Sequence, residues 1–370
     1  MKIAIVIGTM GGYGGAERAT AYLANGFADK KNEVHLITCY NYHSKDTVYH
    51  ISDKVDFIRL NQDINVNRIK RFFIGISLVR DKLLEIKPEI VVGITSYYGV
   101  LSVLALKNTR IPVIIAERNN PDSLDRLHSF EKAIFRYFYR HKADGAVFQT
   151  KDIKRYYYQS DDPKGAVIPN ALMTTNLPAP KATLTINNRI VSVGRLTAEK
   201  NIPLLIEAFA EVHKKHPEYS LTIYGEGNLR IILESMVKSL GLTEHVFFPG
   251  TVSNIFEVYE NSQLFVMSSD NEGMPNALIE AMAMGMPVIS TDCKGGGAAY
   301  LIDNSVNGLL VPNRDRDALA IAINKLIEQP ELAWQMSREA IKIREKLDAD
   351  TICNKWLSFM NEIISRRMQK

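Results

Sequence analysis

The feature that most constrains this chain is an alternation of short apolar runs with helix-like stretches, which breaks once and then starts again. Ile3–Ile7, Val34–Cys39, Ile90–Ile94, Pro112–Ala116 and Gly145–Phe148 read as buried strands. A glycine loop at Gly11–Gly15 leads into a helix over Ala16–Ala28, and an aromatic-rich helix is expected near Glu131–His141. Around Ile168–Thr185 the pattern is interrupted by Pro169, Asn170, Pro178, Pro180 and several threonines, the composition of a linker. Strands then recur at Ile190–Val193, Ser220–Tyr224, Val246–Phe248, Leu264–Met267, Pro287–Thr291 and Leu309–Val311. Helical stretches close the chain at Arg316–Glu328, Pro330–Glu345 and Ala349–Arg366. Strands alternating with helices form parallel sheets covered on both faces. The expected fold is therefore α/β, with two doubly wound, Rossmann-like domains facing each other across a cleft. The first spans 1–172, a linker 173–185, and the second 186–348. Residues 349–370 are expected to cross back to the first domain, because Ile352, Trp356, Phe359, Met360 and Ile363 fall at helical spacing and need a partner surface.

A chain of 370 residues exceeds what one core usually supports. Cys39, Cys293 and Cys353 lie too far apart for a zinc pattern or a disulfide framework and suit a reducing cytosol. No signal-peptide pattern is visible at the start. The seventeen uncharged residues Ile90–Leu106 are short for a membrane span. They also hold Gly93, Thr95, Ser96, Tyr97, Tyr98 and Gly99 at their centre, so they read as a strand, a turn and a helix starting near Tyr98. The net charge of +4 divides into +7 for residues 1–170 and −3 for the remainder. A basic front half points to an anionic partner on that side, while +4 is low for a nucleic-acid binder. Three segments mix cations with aromatics: Arg68–Phe73, Arg136–Lys142 and Lys154–Tyr158. Such segments suit an anionic membrane surface, and equally an ordinary helix with core aromatics and snorkelling cations.

Ligands of parallel sheets sit at the carboxyl ends of the strands, so the loops there carry the chemistry. After the first strand comes Gly11-Gly12-Tyr13-Gly14-Gly15-Ala16-Glu17, whose glycines let backbone approach a phosphate. A dinucleotide fingerprint needs G-x-G-x-x-G, but Gly12-x-Gly14 leads to Glu17, and the second strand runs into Asn41, Tyr42 and His43 rather than an acid. A tight strand–helix turn without ligand remains open here. After the first strand of the second domain, Gly194-Arg195-Leu196-Thr197-Ala198-Glu199-Lys200-Asn201 places two cations five residues apart, a spacing able to clamp a diphosphate, although taken by itself the segment reads slightly better as a solvated turn. After Leu264–Met267 comes Ser268-Ser269-Asp270-Asn271-Glu272-Gly273-Met274-Pro275-Asn276-Ala277-Leu278-Ile279-Glu280. Pro275 suits the first turn of the next helix, and the amides of Gly273, Met274, Pro275 and Asn276 would mark its positive end. Glu272 and Glu280 suit hydroxyls on a sugar and a ribose flanking a diphosphate. Asp270-Asn271-Glu272 is near the D-x-D of metal-dependent transferases. No metal is expected, because two cations and a helix terminus already neutralise a diphosphate.

Glu272-x7-Glu280, within EGMPNALIEAMAMGMPVIST, resembles the E-x7-E element of glycosyltransferase family 4. GRLTAEKN is similar to that family's G-R-L-x-x-x-K-x element; GGAER and NGLLVP also match, in the right order over nearly the whole chain. The resemblance implies a GT-B fold and a retaining, nucleotide-sugar-dependent transferase. It implies that Arg195 and Lys200 bind the donor pyrophosphate, Glu280 the ribose and Glu272 the transferred sugar. Gly14 and Gly15 would approach from the first domain, and backbone near Gly225–Gly227 and Thr251–Ser253, with Val252, would border the base. Two positions depart from the pattern. Tyr300 stands where the family commonly has Glu, and Glu117-Arg118-Asn119-Asn120 stands where members often place His, leaving Glu117 and Arg118 as acceptor-side residues. The expected activity moves a hexose or N-acetylhexosamine from a UDP-sugar to a glycan, lipid-linked, in surface polysaccharide or glycoconjugate biosynthesis. The expected location is the cytoplasm, peripheral at the inner face of the membrane. A GT-B epimerase or hydrolase and a non-catalytic nucleotide-sugar-binding subunit are the alternatives.

Overall fold

The computed structural model describes residues 1–12, 14–40, 47–60, 66–118, 129–158, 162–172 and 177–369, apart from the side chains of Arg68 and Ser129. Tyr13 of the glycine loop, Asn41, Tyr42 and His43, Asn119 and Asn120, and linker residues 173–176 lie outside them. The chain divides into two compact units, Met1–Ala171 with Ala349–Lys370, and Leu172–Asp348.

The first unit contains β1 (Lys2–Ile7), α1 (Gly15–Asp29), β2 (Glu33–Thr38), β3 (Val55–Arg59), α2 (Arg68–Ile86), β4 (Ile90–Ile94) and α3 (Thr95–Ala105). It continues with β5 (Val113–Ala116), α4 (Ser129–His141), β6 (Gly145–Phe148), α5 (Lys151–Tyr157) and β7 (Gly165–Val167). Its sheet runs β3-β2-β1-β4-β5-β6-β7, with every pairing parallel. The central strands are buried on both faces, which is why they read as unbroken apolar runs. β3 and β7 are edge strands that the sequence did not declare. β3 mixes Asp56 and Arg59 with Val55, Phe57 and Ile58 and is only half buried, and β7 has three residues.

The second unit contains β8 (Arg189–Val193), a 3-10 turn at Ala198–Lys200, α6 (Ile202–Lys215), β9 (Ser220–Tyr224), α7 (Arg230–Ser239), β10 (Val246–Gly250) and α8 (Ile255–Glu260). Then follow β11 (Leu264–Met267), α9 (Asn276–Ala283), β12 (Val288–Thr291), α10 (Gly297–Leu301), β13 (Leu309–Val311), α11 (Arg316–Glu328), α12 (Pro330–Ala340) and α13 (Ile343–Lys346). The parallel sheet order is β10-β9-β8-β11-β12-β13. An apolar core joins the sheet to α6, α7, α11 and α12, with Leu205, Phe209, Val266 and Ile323 fully buried.

The last helix, α14 (Ala349–Met368), belongs to the first unit. Trp356 meets Phe27 of α1 edge-on at 6.4 Å between ring centres, and Asp350 pairs with Lys30 at 3.0 Å. A β-carbon added at Gly145 would lie 2.9 Å from Ile363 Cδ1, so this helix rests directly on β6.

Three local expectations are corrected. α3 starts at Thr95, not near Tyr98, and Thr95 takes a left-handed φ of 70° at the junction with β4. The stretch expected as one helix over Pro330–Glu345 is α12 and α13. The Lys342 amide bonds Glu339, three residues back, and Arg344 turns its Nε to the carbonyl of Ala283 at 2.7 Å. Pro275 is not in the first turn of α9 but flanks it in extended conformation.

Candidate active site

A doubly wound sheet opens a crevice where its strand order reverses. In the second unit that point lies between β8 and β11, paired through Leu264–Ile190 and Phe265–Val191. The loops leaving those two strands are the two charged motifs, so the topology brings together segments some seventy residues apart. The Lys200 ammonium bonds Glu272 Oε1, with the two side chains only 20% and 12% exposed. Ser269 Oγ donates to the same carboxylate oxygen at 2.7 Å. The loop is fixed from both sides. Ser268 Oγ donates to the Lys200 carbonyl at 3.1 Å, the Asp270 amide to the Glu199 carbonyl at 2.9 Å, and Thr291 Oγ1 to the Ser269 carbonyl at 2.6 Å.

Asp270 is equally occupied. Asn201 Nδ2 donates to its Oδ1 at 2.8 Å, and Arg314 Nε and Nη2 donate to Oδ2 at 2.9 and 2.7 Å. Arg195 is 74% exposed and pairs with Glu199 at 3.1 Å. Burial acts to raise the Glu199 carboxyl, but its own backbone amide, Thr197, Arg195 and Lys200 together hold it below the ordinary range. Glu280 is buried on α9, and Met274 is buried just before it. Gly225 has φ 135°, and a β-carbon there would collide with the Gly194 carbonyl, so only glycine lets the β9 loop approach the β8 loop. Gly297 likewise passes the Gly273 carbonyl without room for a side chain. Val252 is exposed beyond β10. Burial, followed by the Glu272 charge, pushes the Cys293 thiol up to about 12, so it is no nucleophile.

In the first unit Gly14 caps α1 and Gly15 opens it, both exposed. The Glu17 carboxylate folds back over this turn, and a β-carbon at Gly14 would strike it. A carboxylate at a helix N-terminus complements the dipole and gives the turn an acceptor for hydroxyls. Glu117 and Arg118 leave β5 in different surroundings. Glu117 is 1% exposed; its Oε2 accepts from Ser96 and, at 2.9 Å each, from Tyr139 and Tyr157, while Oε1 accepts the Arg118 amide at 3.0 Å. Burial, then the Glu117 charge, drives both phenols well above their usual range. Glu117 thus anchors a buried hydroxyl network instead of facing an acceptor. Arg118 Nη1 donates to Asn170 Oδ1 at 3.0 Å, Gln149 Nε2 donates to the same oxygen at 2.8 Å, and the guanidinium lies 5.5 Å from the Trp356 ring centre.

A model of glycosyl transferases group 1 matches residues 176–343, and a model of glycosyltransferase family 4 matches residues 13–175. The chain therefore carries a glycosyltransferase family 4 domain followed by a glycosyl transferases group 1 domain. It is 27% identical, over 98% of its length and 99% of the relative, to a GalNAc-alpha-(1->4)-GalNAc-alpha-(1->3)-diNAcBac-PP-undecaprenol alpha-1,4-N-acetyl-D-galactosaminyltransferase of Campylobacter jejuni. It is 25% identical, over 96% of its length and 98% of the relative, to an uncharacterized glycosyltransferase of Haemophilus influenzae. Its fold matches a sucrose-phosphate synthase from Thermosynechococcus elongatus with a TM-score of 0.84 at 19% identity, covering 98% of this chain and 99% of that one. The fold is that of the GT-B glycosyltransferases, and the enzyme is a glycosyltransferase of polysaccharide or glycoconjugate biosynthesis.

Within this glycosyltransferase, Arg195, Lys200, Glu272 and Glu280 lie on the crevice loops of one sheet or the helix that follows. Asn201, Ser269, Arg314, Gln149 and Asn170 were not singled out from the sequence, although Asn201 and Ser269 stood within the quoted motifs. All five follow the carboxyl ends of strands, a signal that strand boundaries could have supplied for all but Asn170, which follows the undeclared β7. Tyr300 instead carries Lys346, whose ammonium sits 4.4 Å from its ring centre.

Proposed function

We propose that the enzyme transfers a hexose or N-acetylhexosamine, with retention, from a UDP-sugar to a lipid-linked glycan, without a metal. The observation that carries this reading is the Lys200–Glu272 pair at the crevice of the second unit. A diphosphate entering there takes the Lys200 ammonium and frees Glu272 to accept sugar hydroxyls, so phosphate and sugar are recognised in one exchange. Arg195, held only by an exposed pair with Glu199, swings to the same diphosphate. Glu280 holds the ribose, while the turns at Gly225 and Val252 border the base, and Gly273–Asn276 lead the helix terminus to the phosphates. Asp270 is already matched by Arg314 and Asn201 and Glu272 by Lys200, which supports charge stabilisation of the leaving group by side chains. Retention follows from the family resemblance, with the leaving phosphate taking the acceptor proton on the same face.

The name of the Campylobacter relative specifies an acceptor carried on PP-undecaprenol, which supports a lipid-linked acceptor for this chain. Among the described residues no helix is long and apolar enough to cross a membrane. Exposed Ile69 and Phe73 on α2 and Phe130 on α4 accompany exposed Lys70 and Lys142, which supports peripheral docking at an anionic inner face. Arg71, Arg136 and Arg140 are engaged inside the unit with Tyr40, Tyr156 and the Tyr157 carbonyl, so the docking set is narrower than the basic segments imply. A screen of UDP-, GDP- and ADP-sugars, reading both melting temperature and sugar release, tests the function. Turnover with a UDP-sugar is expected. Stabilisation without turnover, whatever the acceptor, would leave a binding subunit instead.

A further inference from the structure

Arg118 is 8% exposed, and burial pulls its guanidinium down to about 10 although Glu117 acts to raise it. A buried cation is costly unless it is matched. The anion that acts on it is Glu117, but that carboxylate already takes Ser96, Tyr139, Tyr157 and the Arg118 amide. Arg118 spends Nη1 on Asn170, and its Nε and Nη2 have no hydrogen-bond partner among the described residues. These two atoms carry parallel hydrogens on one edge of the guanidinium plane, the fork that grips a phosphate or carboxylate through two bonds. The fork cannot turn freely. Asn170, beyond β7, fixes the other edge and is itself held by Gln149, beyond β6, while the Trp356 ring lies against the guanidinium. Gln149 Oε1 and Trp356 Nε1 are likewise buried and unpartnered. The network thus leaves three donors and one acceptor unused at or near the carboxyl edge of the first sheet, where ligands of such sheets bind.

We infer that Arg118 is a preorganised seat for a phosphoryl oxyanion on the acceptor side of this enzyme, with Asn170 and Gln149 as positioning residues. The source of the phosphoryl group, the lipid-linked acceptor or a free anion, rests on the reading of the acceptor given above; the oxyanion chemistry does not. An oxyanion at the fork supplies the counter-charge that Arg118 lacks, and the Gln149 oxygen accepts from a hydroxyl of the same ligand.

The test uses the full chain with Arg195→Ala and Lys200→Ala, which removes the two cations assigned to the donor diphosphate. Melting temperature is followed against inorganic pyrophosphate, against a polyprenyl pyrophosphate in detergent micelles, and against the free polyprenol in the same micelles. Pyrophosphoryl probes should raise the melting temperature and polyprenol should not. Adding Arg118→Met should abolish the increment. Arg118→Lys, which keeps the charge but loses the fork, should weaken binding at least about tenfold. A response to the lipid probe alone assigns the seat to the acceptor, and a response to both assigns a general phosphoryl site; either supports the inference. No response to any probe, or an equal response in Arg118→Met, overturns it. Should the Met variant fail to fold, an unchanged affinity in Arg118→Lys overturns it as well. Titration of the unmutated chain with UDP tests the donor reading separately. Intact UDP binding with no anion response sinks this inference alone, and the converse result sinks only the donor reading.

Discussion

The two units handle positive charge at their ligand edges in opposite ways. In the second, Arg195 and Lys200 are each matched by a carboxylate, Glu199 and Glu272, at or near the surface. In the first, Arg118 is buried and its fork is unmatched among the described residues. A cation already paired gives up one anion to take another, so binding is an exchange whose net strength is moderate and whose by-product, a freed carboxylate, is useful. A cation stranded in low dielectric gains its first strong partner on binding. The difference teaches where each unit keeps its electrostatic energy: in an exchangeable pair, or in an unmet charge.

The largest effect should come from the exchangeable pair. Lys200→Ala is expected to lower kcat/KM by about 10²–10³-fold and to weaken UDP binding by about 1.5–3 kcal/mol. Glu272→Gln removes the competitor for Lys200 while keeping its shape, so calorimetry should find UDP binding as tight as in the wild type or tighter, although transfer falls. Equal loss of UDP affinity in both variants would break the exchange.

A smaller, structural contrast lies inside the first unit. Glu117→Gln disturbs a carboxylate that satisfies several buried donors and should cost about 2–4 kcal/mol in urea unfolding. Arg118→Met replaces an unmatched buried charge with an apolar chain and should stay within about 1 kcal/mol of the wild type without ligand. Similar losses in the two variants would mean that Arg118 is matched after all.

The second unit supplies its own control, a desolvated cation away from the crevice loops. Lys181 Nζ donates to Thr185 Oγ1 at 3.0 Å and to the Ser262 carbonyl, and burial lowers its ammonium from 10.5 to about 8. The unfolded chain therefore binds more protons than the folded one between those values. The penalty of the charged form is full below about pH 8 and fades as pH rises toward 10.5. Wild type should gain on Lys181→Met across that window by roughly 1 kcal/mol once solvent screening is allowed for. A flat difference in stability against pH would show that Lys181 is not desolvated. The smallest expected effect is that of excess EDTA on transfer, which should be none; loss restored by manganese would assign a metal to Asp270 and Glu272.

The fold was legible where burial on both faces makes strands uniformly apolar, as in Ile90–Ile94 and Leu264–Met267. It was not legible at β3 and β7, because an edge strand needs no such run. The crevice of the second unit was legible because its two motifs are contiguous and each sits at a strand end. Their partners were not. Arg314 reaches Asp270 across 44 residues and Asn170 reaches Arg118 across 52, and no local pattern announces such pairs. Glu117 and Arg118 stood out only as a departure from the family, and sequence spacing could not say that one is saturated and the other left open.

α14 gives the chain an order of assembly. The second unit is one continuous segment, Leu172–Asp348, whereas the first lacks its Trp356, Phe359 and Ile363 until residues 349–368 have been synthesised. On the ribosome the earlier-made unit therefore waits, with Phe27 and Gly145 uncovered, while the later-made one completes its core. A stop codon placed just after Asp348 leaves the second unit whole and the first one open, so the damage from a late truncation lands at the start of the chain.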